Sequence, residues 1–165
     1  MDKKLLSYLI FCASFFVYYS PNREKGERKG DRDLITGYGL TLNRESPPED
    51  VAKFLIMALD HADVGLLCKL VAVEHESEEL KKILRVREGS VSFKAEDVES
   101  LVVAGWMATY AFFEKGQTFV TEVKTIDGEC IVMARGIKPT GEKTMEIRMV
   151  KENGWWKVMG GFREK

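Results

Sequence analysis

The sequence has few of the residues from which metal sites and nucleophilic sites are usually built. It contains three cysteines and two histidines, and no CxxC or HExxH spacing joins them. The pattern therefore predicts neither a metal site nor a cofactor. The chain also lacks an excess of charge of either sign, because 25 Lys and Arg residues nearly balance 26 Asp and Glu residues. A net charge of −1 creates no long-range field to attract nucleic acid, so no nucleic-acid partner is expected.

The chain also lacks internal repeats and low-complexity stretches. At 165 residues, with 45% hydrophobic and 31% charged residues, it has the length and composition of one globular domain with an extension. Cys68 and Cys130 both lie in apolar patterns, which favours two small buried hydrophobic residues. The alternative is a disulfide between them, which export would permit.

The extension begins with an uncharged apolar run. Lys3 and Lys4 precede this run, Leu5–Tyr19, in the order that is typical of a signal peptide or a short signal anchor. The run is shorter than the roughly 20 residues of a spanning helix. Residues 1–20 are therefore assigned to a signal peptide or signal anchor. This assignment predicts a protein that is membrane-anchored or secreted, with the membrane as a partner.

A second feature of the extension concerns its processing. The stretch Leu9-Ile10-Phe11-Cys12 is similar to a bacterial lipobox with Cys12 as the lipidated residue, although Phe11 replaces the usual small residue. No clean A-x-A site follows, so an uncleaved anchor remains an alternative. Residues 21–45 form a charged linker and a lead-in segment, and residues 46–165 form the folded domain.

Helical patterns come first in the domain. A capping box, in which Ser46 is the cap, is followed by an apolar stripe with helical spacing. That stripe is Val51, Phe54, Leu55, Ala58 and Leu59. Further helices are predicted over Val64–Val73 with Asp63 as cap, after a cap at Ser77 with Leu80, Ile83 and Leu84 inward, and over Ala95–Ala104.

A long antiparallel meander, Trp106 to Phe162, is predicted next. Asn153-Gly154 and Asp127-Gly128 are type I′ turn signals, and turns at Lys115-Gly116 and Lys138–Gly141 extend the register. Counting outward from the turns predicts these opposite pairs: Thr125–Cys130, Val123–Val132, Thr121–Ala134, Cys130–Met149, Val132–Ile147, Ala134–Met145, Ile147–Gly160 and Met145–Phe162. One face of the five predicted strands stays apolar, and a slip of one residue would destroy that pattern. This face carries Trp106, Ala108, Tyr110, Phe112, Phe119, Thr121, Val123, Thr125, Cys130, Val132, Ala134, Met145, Ile147, Met149, Trp156, Val158 and Phe162. The fold class is therefore α+β, with helices packed on a curved antiparallel sheet.

The closing motif Glu152–Val158 (ENGWWKV) and the opening Pro48–Leu55 resemble the nuclear transport factor two-like (cystatin-like cone) superfamily, in particular its small exported and lipoprotein members of unknown function. The resemblance covers Ser46 to Phe162. It implies a bent sheet and helices that enclose a cone, whose open end can hold a small apolar ligand. Some members are isomerases, cyclases or dehydratases, whereas many only bind, dimerise or support a larger assembly.

The predicted lining gives little support to catalysis. It holds no carboxylate and no histidine, and a charge placed there would need a partner. Its polar groups are the hydroxyls of Tyr110, Thr121 and Thr125, which with Trp106 are the candidate ligand-binding residues. An isomerase-like or cyclase-like enzyme is the alternative, with His61 or Asp60 as base and Tyr110 as oxyanion donor, since imidazole titrates near neutral pH.

The other face of the predicted sheet is mixed. It carries charged residues, but Val150, Trp155, Met159 and Met133 also lie on it and form a candidate interaction patch. The preferred function is therefore an exported or membrane-tethered binding domain. It would act through a homodimer or another protein partner, or through a small apolar ligand. The sequence leans against an enzyme.

Overall fold

The computed structural model describes residues 34–84, 92–126 and 128–164. Within these ranges the elements are β1 (Ile35–Gly37), β2 (Leu40–Leu42), α1 (Pro48–Asp60), α2 (Val64–Leu70), α3 (Val73–Ile83), α4 (Ala95–Tyr110), β3 (Phe119–Ile126), β4 (Glu129–Lys138), β5 (Gly141–Glu152), β6 (Trp155–Val158) and β7 (Arg163–Glu164). The predicted α+β class is confirmed, because four helices pack on an antiparallel meander of five strands.

The signal segment and Cys12 lie outside the described residues. None of the described helices combines the length and the apolar content needed to cross a bilayer.

Helix α1 supplies the centre of the core. The five residues of its predicted stripe are all buried, so the stripe is confirmed. Its predicted cap is wrong. The helix begins at Pro48 after Pro47, with no side-chain cap, and Ser46 Oγ instead accepts the backbone N–H of Asn43 at 2.9 Å. A proline in the first turn has no N–H to satisfy, so this helix needs less capping than most.

Helices α2 and α3 are separated by a short extended segment. Asp63 caps α2 as predicted, accepting the N–H of Leu66 at 3.1 Å. The predicted cap Ser77 is wrong, because Ser77 lies inside α3 and donates to the carbonyl of Val73 at 2.7 Å. The helix predicted over Val64–Val73 ends early because the chain turns away to meet β6. Of the three residues expected inward on α3, Leu80 packs on the core, whereas Ile83 and Leu84 are exposed.

The first strand of the predicted meander is wrong. Residues Trp106 and Tyr110 belong to α4, which extends six residues beyond the expected end at Ala104. The buried residues Val98, Val102, Trp106 and Tyr110 recur at every fourth position, which is the spacing of one helix face. The side chains of residues 106–112 also fit the alternating pattern of a strand, so this short window by itself predicts a strand.

The central register of the sheet is confirmed. Strand β4 pairs with β5 so that Cys130 lies opposite Met149, Val132 opposite Ile147 and Ala134 opposite Met145. All of these side chains are buried on one face, which we call the core face, and we call the opposite one the outer face. The type I′ turn is also confirmed, since Asn153 and Gly154 have φ values of 52° and 83°.

Two irregularities break the predicted register at its ends. Thr121 was expected opposite Ala134, but Val120 takes that place and Thr121 is the extra residue of a bulge. The bulge moves Phe119 to the outer face, where it is 61% exposed. Thr121, Val123 and Thr125 are also exposed on β3, which is the edge strand of the sheet. The expected burial of this strand and of Phe112 is therefore wrong.

The second irregularity follows β6. Met145 was expected opposite Phe162 and Ile147 opposite Gly160, but Met145 pairs with Glu164 in β7. Gly161 has a φ of 79° in the intervening turn, which inserts two residues into the strand. Phe162 still reaches the core, since its ring stacks on Trp106 with centroids 5.8 Å apart.

Candidate functional site

The first candidate site lies where the end of α1 meets the end of α4. The hydroxyl oxygen of Tyr110 is 2.8 Å from Asp60 Oδ1 and 3.0 Å from Thr118 Oγ1. The hydroxyl has one proton, so Tyr110 donates to the carboxylate and accepts from Thr118. Asp60 Oδ2 accepts the backbone N–H of Gly116 at 3.1 Å. Both carboxylate oxygens therefore receive donors from the chain itself.

These bonds limit the chemistry that the pair can perform. Burial, reinforced by the Asp60 carboxylate, raises the pKa of Tyr110 well above its ordinary value and keeps the hydroxyl protonated. That proton is directed at Asp60, so it is not aimed at a site where a substrate oxyanion could lie. The arrangement joins α1, α4 and the segment around Gly116, and it acts as a structural clasp.

His61, the alternative base, lies at the exposed end of α1. Its Nδ1 is 2.8 Å from the carbonyl oxygen of Met57, one turn back in the helix. Its ring stacks on Tyr38 with centroids 4.5 Å apart, and the Tyr38 hydroxyl donates to Asp63 Oδ2 at 3.0 Å. The imidazole therefore covers the break between α1 and α2.

The four candidate ligand-binding residues do not share one lining. Trp106 and Tyr110 lie on the buried face of α4 and are 1% and 4% exposed. Thr121 and Thr125 are exposed on β3, where Thr121 Oγ1 donates to the carbonyl of Met133 at 3.1 Å. The sequence placed them together because it assigned Trp106 and Tyr110 to a strand next to β3.

The predicted interaction patch is mostly covered by the chain itself. Trp155 and Met159 are only 8% and 7% exposed, although they lie on the outer face. Val150 and Met133 are half-buried. The sequence correctly placed these residues on one face, but it did not show that this face would be covered beside β6.

A polar groove of about 360 Å³ lies between α3 and the outer face. Its lining residues are His75, Glu76, Glu79, Glu129, Arg148, Met159, Gly160, Gly161 and Arg163. Arg148 Nη2 is bound to Glu129 Oε2 at 2.6 Å, and Glu76 Oε1 accepts the N–H of Gly160 at 2.7 Å. Arg148, Glu129 and Glu76 are thus held by contacts within the chain. Among the described residues no group of acidic, histidine or cysteine side chains is arranged to hold a metal ion.

The two edges of the sheet differ. The edge at β6 is covered by the chain, because Val71 forms a parallel bridge to Val158 and the Ala72 N–H donates to the Val158 carbonyl at 2.9 Å. At the other edge, β3 pairs only with β4 among the described residues. It runs from Phe119 to Ile126, and these terminal residues are 61% and 52% exposed.

This open edge is the site that sequence reasoning missed. A signal for it exists, because the four-residue spacing of buried residues up to Tyr110 assigns the segment before β3 to a helix. With a helix in place of the first predicted strand, β3 becomes the first strand of the meander. An edge strand of this length exposes, on the side away from its partner, backbone donors and acceptors that can add a further strand.

Comparison with known proteins gave no family model that matches the chain. No curated protein matches it either.

Proposed function

We propose that residues 46–165 form an interaction domain that associates with another protein through the open edge of β3. The N-terminal segment would export it or tether it to a membrane, as residues 1–20 suggest. In this proposal the domain resembles the non-catalytic members of the nuclear transport factor two-like (cystatin-like cone) superfamily. The observation that carries the proposal is the contrast between the covered edge at β6 and the open edge at β3.

The side chains of β3 support this role. Phe119 and Ile126 are exposed on the outer face, and Val123 is 38% exposed on the core face. A partner strand would cover these side chains and bond to the backbone groups of the edge that have no strand partner in the described part of the chain, each hydrogen bond contributing about 0.5–1.5 kcal/mol. The edge strand is eight residues long, and exposed large apolar side chains on such a strand are typical of a contact surface.

The clasp between Tyr110 and Asp60 favours binding over catalysis. The alternative enzyme would need one of these groups to face a substrate, but each is already bonded within the chain. His61 is held against Met57 and Tyr38. The groups proposed for acid–base work thus have structural partners that account for their positions.

The test compares two isoleucines with nearly equal exposure. Ile126 on β3 is 52% exposed, and Ile83 on α3 is 53% exposed. The full chain, including its N-terminal segment, is produced in its natural cells and cross-linked before extraction. We expect an adduct heavier than the 18.8 kDa chain, which Ile126→Lys abolishes and Ile83→Lys preserves. A chain that forms no adduct, or an adduct that survives Ile126→Lys, would overturn the proposal.

A further inference from the structure

We propose that the partner at the open edge is a second copy of this chain. Strand β3 pairs antiparallel with β3 of the copy, about a two-fold axis through Val123, and the two sheets join into one. This inference rests on the proposed function and specifies its partner. The observations that support it are the face of the sheet on which each β3 side chain lies and the charges that these side chains carry.

Symmetry first limits the alignment of the two strands. Beyond the bulge, Glu122, Lys124 and Ile126 lie on the outer face, and Val123 and Thr125 lie on the core face. Residues directly opposite each other in an antiparallel pair share a face. Two identical strands satisfy this rule only if the two-fold axis passes through a residue. An axis between two residues would set every outer-face side chain against a core-face one.

Charge then selects among the three central alignments. An axis at Glu122 sets this carboxylate against its own copy, and an axis at Lys124 sets two ammonium groups against each other. Like charges directly opposite are destabilising. An axis at Val123 instead sets Glu122 against Lys124 of the copy, and symmetry makes this contact twice. Of these three alignments, only the one with the axis at Val123 sets opposite charges against each other.

The groups at this alignment are available for the contact. Glu122 and Lys124 pair within the strand at 3.1 Å, and their side chains are 52% and 56% exposed, so each can reach a partner strand. The Val123 side chains of the two copies would meet at the axis with Cβ atoms about 4.5–5.5 Å apart. The bulge at Thr121 bends β3, so regular pairing about this axis is confined to Glu122–Lys124.

A cysteine scan tests the alignment. In the full chain, Val123→Cys should give a disulfide-linked dimer under mild oxidation, because the two sulfur atoms meet at the axis. The matched control is Ile126→Cys, whose copies would lie roughly 20 Å apart along the paired strands. The unmodified chain gives the background from its own three cysteines. A dimer yield for Val123→Cys no higher than that of the control would overturn the inference.

A charge exchange tests the contact itself. Glu122→Lys or Lys124→Glu alone should weaken self-association of the full chain in detergent by roughly tenfold, measured by sedimentation, since both contacts become repulsive. The double exchange should restore association. Mixing the two single variants should also restore it, because each variant then faces the opposite charge. If the single variants associate as well as the unmodified chain, or if mixing restores nothing, the inference is wrong.

These outcomes separate the inference from the proposed function. An adduct that depends on Ile126 but contains one copy of the chain and no Val123→Cys dimer would leave the interaction domain standing with a different partner. A chain that forms no adduct would remove both.

Discussion

Glu152 caps a helix that begins far from it in the chain. Its Oε1 accepts the backbone N–H of His75 at 2.8 Å, and its Oε2 accepts that of Glu74 at 3.3 Å. The N-cap residue of α3, Ala72, has no side-chain oxygen to do so. The end of strand β5 thus supplies an anion to the first turn of α3, and Glu152 is only 9% exposed.

The cap gives the first prediction. Glu152→Gln should lower the free energy of unfolding by about 1 kcal/mol, because a neutral amide interacts less with the helix dipole, and Glu152→Ala by about 2 kcal/mol. The urea midpoint measures the change. The control is Glu142→Gln, which alters an exposed residue of the same strand, paired with Arg135 at 3.4 Å, and should change little. Equal losses for Glu152→Gln and Glu142→Gln would show that the cap is not stabilising.

The second prediction concerns Gly136 on β4. A Cβ at this position would lie 2.6 Å from both Phe113 Cδ1 and Thr118 Oγ1, and both of these residues are buried. Gly136→Ala should therefore cost about 1–3 kcal/mol of unfolding free energy, since either the phenyl ring or the strand must move. Gly65→Ala in the first turn of α2 is the matched control. An added Cβ there would lie 3.6 Å from its nearest neighbouring atom, so this variant should be neutral or stabilising. A neutral Gly136→Ala would contradict the packing described here.

The third prediction concerns Tyr110. Tyr110→Phe removes the donor to Asp60 and should lower the unfolding free energy by about 1.5–3 kcal/mol at neutral pH, because hydrogen bonds to charged groups are the stronger ones. The control is Tyr38→Phe, which removes the bond to Asp63 from a less buried ring and should cost less. The denaturant midpoint distinguishes the two variants, and a larger loss for Tyr38→Phe would contradict the clasp.

The same residue makes stability depend on alkaline pH. Burial raises the pKa of Tyr110 above 10.0, so the folded chain keeps a proton that the unfolded chain releases above that pH. The contribution is fully present below pH 10 and is lost as the pH rises towards the raised value. Unfolding free energy should therefore fall more steeply above pH 10 in the unmodified chain than in Tyr110→Phe. Parallel pH profiles would contradict this assignment.

Local patterns predicted well wherever the neighbours of a residue in space are also its neighbours in sequence. The stripe of α1, the cap at Asp63 and the positive φ values at Asn153-Gly154 need only a few consecutive residues. Once a turn is placed, the pairing of the two strands beside it follows by counting. This is why the register of β4 with β5 is confirmed.

Patterns failed where two periods agreed over a short window. Around Trp106 and Tyr110 the apolar residues fit both alternation and a four-residue spacing. Only the four-residue spacing that extends back to Val98 favours the helix. In the structure the helix face with this spacing is buried, so the segment is helical. The misplaced strand then placed Thr121 and Thr125 inside the core and concealed the open edge.

Tertiary contacts alone decided which faces are covered. Trp155 and Trp156 are adjacent on β6, and alternation correctly put Trp156 on the core face. Trp155 is nonetheless the more buried of the two, because the chain also covers the outer face near α3.

The sequence by itself determined the α+β class, most helices and the central strand pairs, because periodicity and turn residues act over short distances along the chain. The tertiary structure decided the capping of α3 by Glu152, the clasp at Tyr110 and the exposure of β3. These features join residues that are distant in sequence. No local pattern records which distant group will satisfy a donor or cover a face.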